Sequence, residues 1–224
     1  MSGKGRGLGV AALVVGLLGV VAAFGSVAYG RDTYGSSTIS SRSMSPTYEP
    51  GDRIVFERVG GSEVRRGDVV LFSTPGRYRF GGNVMERVIG VGGDRVVCCT
   101  GVGADAWLTL NGRTMSEPYV NGGDADGAYK AYDVTVPKGR LFLLGDNRAN
   151  SLDSRFFASD HGGTVAESAV RGRVTGHRAR PVVIGLAVIA GVVLALVGVG
   201  LGIAAFVVRR RRAAPVAPWP VQQV

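Results

Sequence analysis

Lysine is almost missing from this chain. Its 224 residues include 26 Lys plus Arg, and only Lys4, Lys130 and Lys138 are lysine. Cysteine is equally scarce. The single adjacent pair Cys98-Cys99 excludes a disulfide-stapled scaffold and a multi-cysteine metal cluster. Acidic residues are absent from both ends: all 17 lie between Arg31 and Arg180, with 20 of the 26 basic ones, so that segment carries only +3. The rest of the net +9 comes from Lys4, Arg6 and Arg209 to Arg212, short flanks of apolar runs. A pI near 10.1 distributed in this way argues against nucleic acid as a partner. Helical periodicity of useful length is also lacking between residues 31 and 180, which excludes a helical core there.

What is abundant is uncharged apolar sequence. No charge occurs in the 24 positions from Gly7 to Gly30, or in the 28 from Pro181 to Val208. About 20 apolar residues cross a bilayer core of about 30 Å. A cleaved signal peptide is the alternative for the first run, with Ser26-Val27-Ala28 as small residues before the cut. The run is longer than the usual h-region of about 7–15 residues, which favours an uncleaved anchor. Lys4 and Arg6 on one side and Arg209 to Arg212 on the other put both termini in the cytoplasm. The expected organisation is a cytoplasmic stretch 1–7, a membrane helix 8–30, an extracytoplasmic domain 31–180, a second membrane helix 181–208 and a basic, proline-containing cytoplasmic tail 209–224. The lipid bilayer is therefore an expected partner, and the protein is expected to be a multi-pass one.

Between the spans, short β-branched and aromatic runs are bounded by Gly, Asp and Pro. They are Arg53 to Val59, Asp68 to Phe72, Val84 to Ile89, Trp107 to Leu110, Tyr132 to Val136 and Arg140 to Leu144. Asn111-Gly112 is a two-residue hairpin signal. Asn121 to Ala128 reads as a surface loop; its Asp124 and Asp126 lack the full spacing of a calcium loop. The fold class is mainly β, with one sandwich-like or barrel-like core.

Three polar stretches carry candidate chemistry: Ser41-Arg42-Ser43-Met44-Ser45-Pro46-Thr47; Glu86-Arg87-Val88-Ile89-Gly90 with Gly93-Asp94; and Gly145-Asp146-Asn147-Arg148 continuing to Ser151, Asp153, Ser154 and Arg155. In order and spacing they resemble the boxes of bacterial type I signal peptidases, membrane-bound serine proteases that remove signal peptides from exported proteins. Gly67-Asp68-Val69-Val70 resembles a further strand start of that family. The resemblance implies a β domain with a barrel-like core. It also implies Ser43 as nucleophile, the Ser41 hydroxyl and Ser43 N–H as oxyanion hole, and Ser151 as the residue that holds the base. Asp153 and Arg155 are implied as a supporting ion pair, with Arg87 and Asp146 nearby. The implied substrates are signal peptides of preproteins emerging from the secretion machinery, added as an extended strand to a sheet edge, with small residues at the −1 and −3 positions. No cofactor or metal is implied, and the implied location is the bacterial cell membrane. Only 12 residues separate Gly30 from Ser43, which puts the nucleophile near the membrane surface.

One position departs from the resemblance. The family's lysine base is replaced by Glu86. Glu86 is expected to act as a carboxylate base with a raised pKa. His161 as a substitute base, or a catalytically weak paralogue that binds signal sequences without cutting them, are the alternatives. A carboxylate base is expected to work at mildly acidic pH, and Arg87 beside it to lower its pKa. Cys98 and Cys99 read most simply as two small, half-buried residues on or after a strand, since a bridge between neighbours is uncommon.

Overall fold

The computed structural model describes residues 3–78, 82–101, 105–127, 130–176 and 179–213. The proline-containing tail from residue 214 onward lies outside the described residues. The chain divides into two compact units. Residues 1–32 and 177–224 form one, and residues 33–176 form the other.

The first unit holds two helices, α1 (Gly3–Thr33) and α2 (Ala179–Ala213). Their apolar stretches, Gly7–Thr33 and Val182–Arg211, have mean hydropathies of 2.5 and 3.0 and are long and apolar enough to cross a membrane. Both helices continue past the uncharged runs into charged residues. Large side chains such as Leu13, Val21, Phe24, Val183 and Leu196 point outward. Glycine brings the two helices together. A Cβ on Gly191 would stand 2.5 Å from the Ala23 nitrogen, and one on Gly198 would stand 2.5 Å from the Gly16 Cα. Small residues permit this close approach between backbones, the usual basis of helix pairing where water is absent.

The second unit is β. Its strands are β1 (Tyr34–Thr38), β2 (Arg53–Glu57), β3 (Val69–Phe72), β4 (Val84–Val91), β5 (Arg95–Thr100), β6 (Trp107–Leu110), β7 (Arg113–Thr114), β8 (Tyr132–Thr135), β9 (Arg140–Leu144), β10 (Val165–Ala166) and β11 (Val170–Val174). A seven-stranded antiparallel sheet in the order β1-β2-β11-β3-β4-β9-β10 curls into a half-barrel. A four-stranded sheet runs β7-β6-β5-β8. All six expected runs are strands. β1, β5, β7, β10 and β11 join them, and three of these are short or polar enough to escape a pattern search. Asn111 (φ 53°) and Gly112 (φ 77°) make the β6–β7 turn, since a two-residue hairpin of this hand needs positive φ at both positions.

β9 shows why the core sits where it does. Its Leu141, Phe142, Leu143 and Leu144 are all fully buried, Leu141 and Leu143 in one apolar cluster and Phe142 and Leu144 in another. A strand covered on both faces reads as a continuous apolar run. β4 is covered in the same way: Val88 joins the first cluster and Ile89 the second. Met44, just after Ser43, anchors its turn in a third cluster with Ile39, Ile54, Leu71 and Met85.

Cys98 and Cys99 are bonded to each other. They lie where the β5–β6 register shifts between Val97 and Thr100. The Asp124 carboxylate accepts hydrogen bonds from the Asp126 and Gly127 N–H groups, and Asp126 Oδ1 accepts from Lys130 N–H, so both carboxylates brace their own loop.

Leu143→Ala should cost about 2–5 kcal/mol, as a large-to-small change in a core closed on both sides. Denaturant unfolding of the full chain should show a lower midpoint with an unchanged slope.

Candidate active site

Register brings the site together. β4 pairs with β9 through Arg87↔Leu144 and Val88↔Leu143, so one further step sets Gly145 opposite Glu86. A Cβ on Gly145 would stand 2.6 Å from the Ser43 carbonyl oxygen and would overlap the Ser151 side chain. Only glycine lets both segments reach the end of β9. Asn147 N–H also donates to the Ser43 carbonyl at 3.0 Å, tying the Ser43 turn to the loop after β9. Ser43, Glu86, Ser151 and Asp153 therefore converge at one strand end, from regions separated by more than a hundred residues of sequence.

Ser43 is half-buried, and its Oγ lies 3.0 Å from the exposed Ser41 Oγ. Both serines and Glu86 line a cavity of about 560 Å³. Its other walls include Ser37 to Ser40, Gly82 to Met85, Tyr78 and Leu152. No hydrogen bond joins Ser43 to Glu86 among the described residues.

Glu86 lies on the face of β4 that also carries Val84 and Val88, and is only 1% exposed. Its Oε1 accepts a hydrogen bond from the Tyr78 hydroxyl at 3.1 Å, whereas Oε2 has no partner among the described residues. Burial, and then the Asp153 charge, push the carboxyl well above its ordinary value. The Tyr78 hydrogen bond and the Arg77 and Arg155 charges oppose them without prevailing. Arg87 does not act on Glu86 as expected. Adjacent strand residues face opposite ways, and Arg87 turns to Asp146, donating through Nε (2.7 Å) and Nη2 (2.5 Å). The Thr47 hydroxyl donates to the same carboxylate at 2.5 Å, and the Arg87 guanidinium lies 4.0 Å from the Tyr119 ring centroid.

Asp153 and Arg155 form a fully buried, bidentate pair, with Nε–Oδ1 and Nη2–Oδ2 both at 2.8 Å. Asp153 Oδ2 also accepts from the Gly145 N–H at 3.1 Å, and Arg155 Nη2 donates to the Arg148 carbonyl at 2.8 Å. Ser151 Oγ is buried and has no partner among the described residues.

The histidine alternative finds no support in the geometry. His161 is exposed, 2.7 Å from the Asp160 carboxylate, and does not line the cavity. Its bond to Asp160, followed by that of Arg77, pushes the Asp160 carboxyl down to about 2.

Two features were missed from sequence. Arg148 is fully buried and ion-paired with Glu117 at 2.5 Å, and the Tyr119 hydroxyl donates to Glu117 at 2.9 Å. Arg148 stands in the third polar stretch, so a signal existed. Tyr78, the only side chain that donates to Glu86 among the described residues, stands in a loop with no distinguishing pattern.

The family model for signal peptidase, peptidase S26, matches residues 10–177. The chain belongs to this family. Over 138 residues it is 36% identical to the probable signal peptidase I of Mycobacterium leprae (strain TN), covering 53% of this chain and 46% of that protein. Over 155 residues it is 32% identical to signal peptidase IB of Staphylococcus aureus (strain COL), covering 62% of this chain and 74% of that one. Among solved structures it is similar to a signal peptidase I of Enterococcus faecalis V583, at 32% identity. That match covers 50% of this chain and 97% of the other, with a TM-score of 0.38. The aligned stretch thus spans less than half the length of the M. leprae signal peptidase.

Removing one member of a buried pair leaves an uncompensated charge, at a cost of about 3–5 kcal/mol. Asp153→Ala and Arg155→Ala should each lose about that much stability. The double variant should lose less than their sum, because the two act as one unit; unfolding curves of the three variants check this.

Proposed function

We propose that the chain is a membrane-anchored serine endopeptidase that removes N-terminal signal peptides from exported preproteins, with small side chains at −1 and −3. The observation that carries the reading is that Ser43 and Glu86 line one cavity, whose walls include Ser37 to Ser41 and Gly82 to Met85. β1 is the terminal strand of its sheet, so an extended peptide can add alongside it.

In this reading Ser43 Oγ attacks the scissile carbonyl while its proton passes to Glu86 Oε2, the oxygen without a partner. The Ser41 hydroxyl turns from Ser43 Oγ to the developing oxyanion, together with the Ser43 N–H. Glu86 then returns the proton to the leaving amine, and a water molecule, deprotonated by the same carboxylate, releases the acyl group. Ser151 would hold the carboxyl once substrate excludes water. Asp153–Arg155 and Arg87–Asp146 act by fixing the strand ends. The two apolar helices would anchor the protein with both termini in the cytoplasm and residues 31–180 outside. Added protease should then digest 31–180 in spheroplasts and spare the tail; a tail cut from outside contradicts the topology.

Ser43→Ala should abolish cleavage of a preprotein by the full chain, and Ser41→Ala should lower the rate by about 10²–10³. A protonated carboxyl cannot accept a proton, so activity should appear only as pH rises through the raised Glu86 pKa, above the ordinary carboxylate range. Glu86→Gln should remove it. A second reading, binding without cutting, is favoured by the Ser43 hydroxyl being bonded to Ser41 and not to Glu86. Wild-type chain that cuts nothing at any pH, with Glu86→Lys cutting, would decide for it.

A further inference from the structure

We propose that Tyr78 is a positioning residue for Glu86: its hydroxyl holds Oε1 and thereby makes Oε2 the oxygen that exchanges a proton in the Ser43 cavity. The inference rests on the reading of Glu86 as the base.

Tyr78 is 7% exposed, and its ring is fixed by edge-on contacts to Phe72 (centroids 6.0 Å apart) and Phe157 (5.5 Å). The preceding residue is clamped as well. The Arg77 guanidinium lies 4.6 Å from the Phe157 centroid and donates to the Gly163 carbonyl at 2.9 Å and the Asp160 carboxylate at 2.6 Å. The hydroxyl that reaches Glu86 Oε1 is therefore held from both sides of the ring. Burial, and then the Glu86 charge, push the Tyr78 phenol above its ordinary value, so it stays a donor wherever a carboxylate could work.

A phenol has one proton to give. While Oε1 accepts it, the proton of a neutral Glu86 carboxyl resides on Oε2, and that same oxygen takes the Ser43 proton once the group is ionised. The proton leaves Ser43 Oγ as the oxygen–carbon bond forms, and passes on to the leaving nitrogen as the peptide bond breaks. Among the described residues, four groups act on this carboxyl: Asp153 disfavours its charge, and the Tyr78 hydroxyl, Arg77 and Arg155 favour it. Of these, Tyr78 is the one whose hydrogen bond to Glu86 can be deleted without altering any charge or the ring packing.

The test uses the full chain in detergent micelles with carboxyl-labelled ¹³C-glutamate, the Glu86 signal being assigned by its loss in Glu86→Gln. In Tyr78→Phe the Glu86 titration midpoint should move up by about one pH unit, tenfold in the proton equilibrium, because the charged form loses its donor. The acid limb of any cleavage profile should move with it. A midpoint that stays within about 0.3 unit while the melting temperature falls would show a packing role only and overturn the proposal. Should Tyr78→Phe fail to fold, 3,5-difluorotyrosine at position 78, a stronger donor of nearly the same shape, should move the midpoint down. An unmoved or raised midpoint overturns the proposal equally. Midpoints that shift as stated in a chain that cuts no preprotein at any pH would support the hold of Tyr78 on Glu86 and overturn the peptidase reading alone.

Discussion

The buried pair of Asp153 and Arg155 is the constraint on which the rest of the site depends. Both side chains are withdrawn from water, and each uses its remaining capacity on backbone: Asp153 takes the Gly145 N–H, and Arg155 gives to the Arg148 and Asp126 carbonyls. One ion pair thus fixes the end of β9, the loop after it and the loop before β8. Such a pair contributes little net stability against an apolar replacement. What it supplies is geometry, because Gly145 is the point where the Ser43 turn and Ser151 both touch β9. The same pair acts on Glu86, after burial has raised its pKa. Asp153 opposes the charge of Glu86, and Arg155 only partly offsets it.

Glu86 is the unusual element in that frame. An acidic side chain on a strand face lined by Val70, Val88 and Leu143 would ordinarily be replaced by an apolar one. Here one oxygen accepts from Tyr78, the other is buried without a partner among the described residues, and the residue lines a cavity shared with a serine pair. A carboxyl kept neutral by burial is stable there at low pH. It becomes a base only as pH rises through its raised pKa. Perturbed titration next to a hydroxyl in a cleft is a mark of functional sites.

Much of this was legible in the sequence. The continuous apolar run of β9 and the Asn-Gly turn follow from short-range physics and became the strand and turn expected, and the two uncharged runs lie within the helices α1 and α2. The three polar stretches contain the residues that the fold brings to the end of β9. What stayed hidden depended on direction in space. Whether Arg87 acts on its neighbour Glu86 is decided by the alternation of β4, and it faces away toward Asp146. Tyr78 reaches Glu86 only because β3, β4 and the loop between them fold its ring under Phe157. β1 escaped because its residues, Tyr-Gly-Ser-Ser-Thr, have no apolar alternation; edge pairing with β2 makes it a strand. The bond between Cys98 and Cys99 likewise lies in a register shift that a linear pattern does not reveal.

The account's central claim is that Ser43 is activated by the buried carboxyl of Glu86. Covalent labelling of the full chain by a fluorophosphonate, followed residue by residue by mass spectrometry across pH, tests it most directly. The account predicts labelling at Ser43, with a rate that rises through a single ionisation above the ordinary glutamate range and that collapses in Glu86→Gln. Labelling of Ser43 at the same rate in Glu86→Gln, or a profile blind to that ionisation, would contradict it.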